Sequence, residues 1–91
     1  MVKVILTHEV KNYSDWKKVF DAGEPLREKA GFKTLGIYNS VDNSKLISII
    51  GECPSAEAFK GFLTNPNLKA DMENGGVVSM PEVKILNKIY K

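Results

Sequence analysis

The run Leu46-Ile47-Ser48-Ile49-Ile50 is apolar on both faces of the strand it predicts. A strand with large aliphatic side chains on both faces needs packing partners on both, which places it inside a sheet covered from two sides. Helices can cover one face, and a second copy of the chain is the natural cover for the other. Size points the same way. Ninety-one residues make one domain, and a chain this short buries only about 60–65% of its unfolded surface on its own.

The other elements follow from periodicity and punctuation. Residues 2–10 alternate, with Val2, Val4, Leu6, His8 and Val10 on one face and Lys3, Ile5, Thr7 and Glu9 on the other, which predicts a strand. Asn12 followed by Asp15 marks a helix N-cap with an acidic first turn, and Gly31 stops that helix after about Ala30. Gly23 and Pro25 predict a break near residues 22–25, since proline lacks an N–H and clashes one turn back. Residues 32–41 and 45–53 read as two strands joined by a polar connection at 41–45. Pro54-Ser55 opens a second helix to about Thr64, with Ala58, Phe59, Phe62 and Leu63 inward. Asn65-Pro66 caps a short third helix that ends at Gly75-Gly76. An apolar loop over 77–81 then leads to a last strand over 82–90.

The order β-α-β-β-α-β defines an α+β, ferredoxin-like sandwich with a short extra helix, a single domain over residues 1–91. Its usual strand order is 4-1-3-2, with the first and third strands central. One sheet face carries the helices, and the bare face is expected to pack against its twin in a homodimer.

Trp16, Phe20, Gly23 and Arg27 recur at i, i+4, i+7 and i+11. At about 100° per residue all lie within roughly 40° of Trp16, inside the arc completed by Tyr13, Val19, Leu26 and Ala30. Two aromatics, a missing side chain and an arginine thus face the interior. His8, the only histidine, points into the same interior from the first strand. Polar groups so placed are either satisfied structurally or line a pocket. For His8 the structural account is a hydrogen bond with Tyr13 or Tyr38; the functional account is acid/base or ligand chemistry near neutral pH. For Arg27 the structural account is a helix-terminal cation paired with Glu52 or Glu28. Residues 75–81 join two glycines to an apolar Val77-Val78 and Met80 surface, which suits a lid over such a pocket.

Composition removes several classes. Thirteen basic against eleven acidic residues, interspersed, give a net charge of +2, unlike the footprint of a nucleic-acid binder. RNA-recognition modules of this topology stack bases on aromatics of the third strand, and residues 46–53 contain none. One cysteine, Cys53, excludes an intrachain disulfide and any cysteine cluster, and a lone histidine offers no convincing zinc spacing. No metal and no cofactor are expected. The first ten residues hold only a short apolar run, so neither a signal peptide nor a membrane partner is expected, and the default location is cytoplasmic.

The stretch THEVKNYSDWKKVFDAGEPLREKAGF over residues 7–32 resembles the opening of a family of small bacterial dimeric α/β-barrel proteins. It carries a strand ending in His-x-Val, an aromatic-x-x-Trp at the helix start, then Phe and Arg before Ala-Gly. Asn65-Pro66, Leu68 and Gly75-Gly76-Val77 continue the likeness. Members are cyclase-like or antibiotic-biosynthesis-monooxygenase-like. The wider superfamily includes cofactor-free monooxygenases, polyketide cyclases and haem-degrading enzymes that use a pocket between helices and sheet. Their catalytic Asn, Trp, Tyr and His sets do not map onto this chain, whose only Trp is on the first helix.

Three readings follow. One is a homodimeric, cofactor-free enzyme acting on an apolar carbonyl or enol compound, with His8 as acid/base and Tyr38 or Asn39 polarising an oxygen. In it Trp16, Phe20, Phe59 and Phe62 shape an elongated apolar pocket, and Tyr13, Arg27, Met72 and Val77 complete the contact set. The second is a non-catalytic binding protein for an apolar or fatty-acid-like ligand in the same pocket. The third is an interaction dimer whose interior is filled by its own side chains.

Overall fold

In a computed structural model that describes residues 1–90, the chain folds as β1 (Val2–Glu9), α1 (Tyr13–Ala22), α2 (Glu24–Lys29), β2 (Lys33–Asn39), β3 (Leu46–Cys53), α3 (Ala56–Leu63), α4 (Pro66–Asn74) and β4 (Glu82–Leu86). The four strands form one sheet in the order β2-β3-β1-β4, with all neighbours antiparallel. This is the ferredoxin-like α+β fold expected from the element order.

Register fixes which side chains meet the helices. β1 pairs with β3 so that Val4 faces Gly51, Leu6 faces Ile49 and His8 faces Ile47. These residues alternate with half-buried ones along both strands, so they form the inner face. Ile5, Thr7, Ser48 and Ile50 form the other, where the Thr7 and Ser48 hydroxyls bond each other at 2.8 Å. Among the described residues no element covers that outer face: Tyr38 is 58% exposed and Leu86 44%. The helices pack on the inner face over a core of Val4, Val10, Ile47, Cys53 and Phe59.

Local chemistry explains the boundaries. Asn12 Oδ1 accepts the Asp15 N–H at 3.1 Å and Ser55 Oγ accepts that of Ala58 at 3.1 Å, so both N-caps satisfy donors the helix cannot. Asn65 caps α4 in the same way, with Pro66 in the first turn. Gly31 adopts φ +73°, the left-handed turn that glycine permits at a helix end. Gly51 allows a close approach of another kind: a Cβ there would collide with the Phe32 ring and the Lys33 carbonyl.

Two expectations change. The last strand ends at Leu86 rather than near residue 90, and Asn87 to Tyr90 lie outside the sheet ladder. Residues 75–81 are tied to the end of β1 instead of lying over the interior. Gly76 accepts from the Lys11 N–H, Val78 donates to Glu9, and Val77 forms a bridge with Val10. Among the described residues no helix is long and apolar enough to cross a membrane.

Candidate functional site

The helical stripe forms a continuous wall. The His8 ring meets Trp16 edge-on at 5.7 Å between centroids. Trp16 stacks on Phe20 at 5.0 Å, and the Arg27 guanidinium carbon sits 3.7 Å over the Phe20 ring. Opposite this wall Phe32, Phe59 and Phe62 pack with centroids 5.7–6.0 Å apart. Between the two groups lies a cavity of about 60 Å³, several times the ~10–15 Å³ that one water needs.

His8 is the chemically exposed group in this apolar space. Its side chain is 2% solvent-accessible, and neither Nδ1 nor Nε2 has a hydrogen-bond partner among the described residues. Burial without a partner disfavours the charged imidazolium and lowers the pKa from 6.5 to about 4. The ring is therefore neutral at pH 7, with one nitrogen donating and one accepting. A buried polar group left unpaired costs about 1–3 kcal/mol, a cost that a bound hydroxyl or carbonyl would remove.

Arg27 is held structurally. Its Nη1 donates to the Phe20 carbonyl at 2.7 Å and its Nη2 to Glu24 Oε2 at 2.9 Å. The ion-pair partner is Glu24, one turn back, rather than Glu52 or Glu28. The break explains the geometry. Gly23 at φ −83°, ψ 2° separates α1 from α2, the Phe20 carbonyl lies in the last turn of α1, and the guanidinium returns to cap it. The inward phase of Arg27 survives the break, and the side chain is buried.

His8, Trp16, Phe20, Arg27, Phe59, Phe62 and Met72 are brought together around the cavity. Tyr13, Tyr38, Asn39 and Val77 are not. Tyr13 meets Trp16 at a tilt of 40° with ring centroids 5.8 Å apart and is 43% exposed. Tyr38 pairs with Ser48, whereas His8 pairs with Ile47. That one-residue offset puts Tyr38 on the opposite face of the sheet. Neither tyrosine reaches His8, so the structural account of His8 through Tyr13 or Tyr38 is not met among the described residues. Asn39 pairs with Ile47 and shares the inner face, but two strand spacings, about 9–10 Å, separate it from His8. Val77 packs near the end of β1.

Sequence reasoning missed Phe32 and Asp71, both of which line the cavity. The signal for Asp71 was its place three residues after Leu68 and one before Met72, on the inward side of α4. Phe32 is inserted where Gly51 lacks a side chain.

No protein-family model matches the chain, and comparison with curated proteins gave no match. Solved structures do match over nearly the whole length. A protein from Bordetella bronchiseptica, provisionally described as an antibiotic biosynthesis monooxygenase, superposes with a TM-score of 0.79 at 13% identity, over 98% of this chain and 97% of its own. SnoaB, a cofactor-independent oxygenase from Streptomyces nogalater, gives 0.75 at 14% identity, over 99% and 94%. A Caulobacter crescentus protein, also provisionally described as an antibiotic biosynthesis monooxygenase, gives 0.74 at 16%, over 98% and 90%. At these identities the likeness establishes the fold: the chain has the ferredoxin-like architecture of the antibiotic-biosynthesis-monooxygenase proteins.

Proposed function

We propose that the chain is a homodimeric small-molecule-binding protein whose cavity takes a neutral, apolar-bodied ligand and presents its hydroxyl, enol or carbonyl head to His8. One observation carries this reading: a histidine 2% exposed, facing a cavity, with both ring nitrogens unpaired. Buried polar groups are ordinarily satisfied, and a hydroxyl, enol or carbonyl seated in the cavity would satisfy this one. An anionic head is disfavoured, because Arg27, the one cation lining the cavity among the described residues, already bonds Glu24 and the Phe20 carbonyl.

The chemistry that suits such a site is cofactor-free proton transfer of the cyclase or monooxygenase type. A neutral imidazole takes the proton of an enol or activated C–H, forming N–H as the substrate bond breaks. The resulting enolate is electron-rich and can attack an internal carbonyl or molecular oxygen. The fold shared with SnoaB supports this reading. A second reading, a non-catalytic binding protein, is favoured by the pKa near 4, which makes His8 a weak base. Conversion of a bound enol to product separates the two. The homodimer rests on the uncovered outer face, where Ile5, Ile50, Tyr38 and Leu86 present apolar surface in need of cover.

Calorimetric titration with para-propylphenol tests the site. The wild type binds, and His8→Leu, which fills the space without hydrogen-bonding atoms, binds at least tenfold more weakly while staying folded. Equal affinity in the two proteins would remove His8 from the reading.

A further inference from the structure

The cavity over His8 has a definite capacity. Its volume of about 60 Å³ is about four to six times the ~10–15 Å³ that seats one water, and at roughly 30 Å³ of liquid per water it holds ~120–180 Å³ of contents. An apolar protein cavity of ~150 Å³ takes up benzene. One six-membered ring therefore fills the body of this space, and a fused pair of rings exceeds it.

Burial shows which way such a ring stands. Leu6, His8 and Ile49 line the cavity from the inner face of the sheet, and each is buried. Val19 of α1, Leu26 of α2, and Leu68 and Met72 of α4 line it as well, but these are half-buried. The closed end is thus the sheet, and the open end lies between the helices. Apart from His8, the polar side chains in the lining are Arg27, already bonded to Glu24 and the Phe20 carbonyl, and Asp71, half-buried at the rim. The closed end offers one hydrogen-bonding partner, the imidazole. Trp16 and Phe20 form one wall above it, and Phe32, Phe59 and Phe62 form the other. A flat aromatic ring between them gains offset-stacked or edge-to-face contacts that a puckered ring of the same outline does not.

Resting on the reading of His8 as the ligand's polar contact, we propose that this is a site for a single-ring phenol or the equivalent ring enol. The hydroxyl meets His8 at the floor, the ring lies between the aromatic walls, and a substituent para to the hydroxyl points out between α1 and α4. A phenol is neutral at pH 7, and its O–H donates to the one ring nitrogen of His8 that accepts. Bulk ortho to the hydroxyl is excluded. Trp16 meets the imidazole edge-on, and Leu6 and Ile49 form the next inward pair along the sheet.

Four ligands make the test by calorimetry on the full chain: para-propylphenol, its ortho isomer, 4-propylcyclohexanol and 1-naphthol, whose second ring lies beside the hydroxyl. The wild type prefers para-propylphenol to 4-propylcyclohexanol by about fivefold, the worth of one well-placed aromatic pair. It prefers para-propylphenol to the ortho isomer and to 1-naphthol by about tenfold or more, as overpacking a filled space predicts. Ile49→Ala clears the floor beside the imidazole and brings the ortho isomer level with the para; a folded variant that still rejects the ortho isomer overturns the inference. So does a wild type that binds para-propylphenol through His8, losing it in His8→Leu, yet binds any of the other three as tightly. In both cases the reading of His8 stands. If none of the four binds the wild type, the His8 reading fails and this inference fails with it.

Discussion

Acid should destabilise this protein through His8, by an amount the structure sets. The folded-state pKa is about 4, against 6.5 for an unperturbed histidine. The folded state resists the proton while the unfolded chain takes it up, so stability falls as pH drops from about 6.5 towards 4 and levels off below. Above that window the neutral ring contributes fully. The whole shift corresponds to about 3 kcal/mol, and near pH 5 about 2 kcal/mol should already be lost. That is a large share of the roughly 5–15 kcal/mol that holds small domains folded. Carboxylates titrate in the same range, so the assay is a difference. Urea unfolding by circular dichroism is run across this range for the wild type and for His8→Leu, at a protein concentration that keeps the oligomeric state constant. The gap between the curves should widen in favour of the variant by about 2 kcal/mol between pH 7 and pH 5. Parallel curves would mean that His8 titrates normally, with solvent or a partner at its nitrogens, and the argument from its isolation would fail.

Other outcomes follow from packing. Gly51→Ala should destabilise by about 1–3 kcal/mol, because the new Cβ meets the Phe32 ring and the Lys33 carbonyl; a melting temperature equal to wild type would contradict this. Arg27→Met keeps the apolar stem on Phe20 but frees the Phe20 carbonyl and Glu24. It should cost about 1–3 kcal/mol in chemical unfolding. Ile50→Lys puts a charge in the middle of the uncovered sheet face; under the proposed dimer, light scattering should read dimer for the wild type and monomer for the variant.

The fold was readable because its determinants are local. Asn12, Ser55 and Asn65-Pro66 start their helices as capping chemistry requires, Gly31 ends one, and the period-two pattern of β1 gives its inward face. The break at Gly23 was equally visible. What sequence could not carry was contact between distant segments. His8 and Trp16 sit on adjacent elements and were placed together from parity alone. Tyr38 was misjudged as a partner for His8 because its face depends on an irregularity between Thr34 and Gly36 in the pairing of β2 with β3, and no local pattern announces a bulge. Glu24 pairs with Arg27 at i,i+3 within α2, a local spacing the sequence did offer; what the turn at Gly23 adds is the bond from Arg27 to the Phe20 carbonyl at the end of α1. Asp71 was overlooked on a helix whose composition reads as polar. The segment 75–81 looked like a lid by composition, yet its backbone is engaged by Glu9 and Lys11.

The most direct test is nuclear magnetic resonance of the imidazole nitrogens. His8 is the only histidine in the chain, so its side-chain signals are unambiguous in uniformly labelled protein. The account predicts a neutral ring that titrates near pH 4, with one nitrogen shifting to a hydrogen-bonded value when para-propylphenol is added. A midpoint near the ordinary 6.5, together with nitrogen shifts that ignore the ligand, would contradict it.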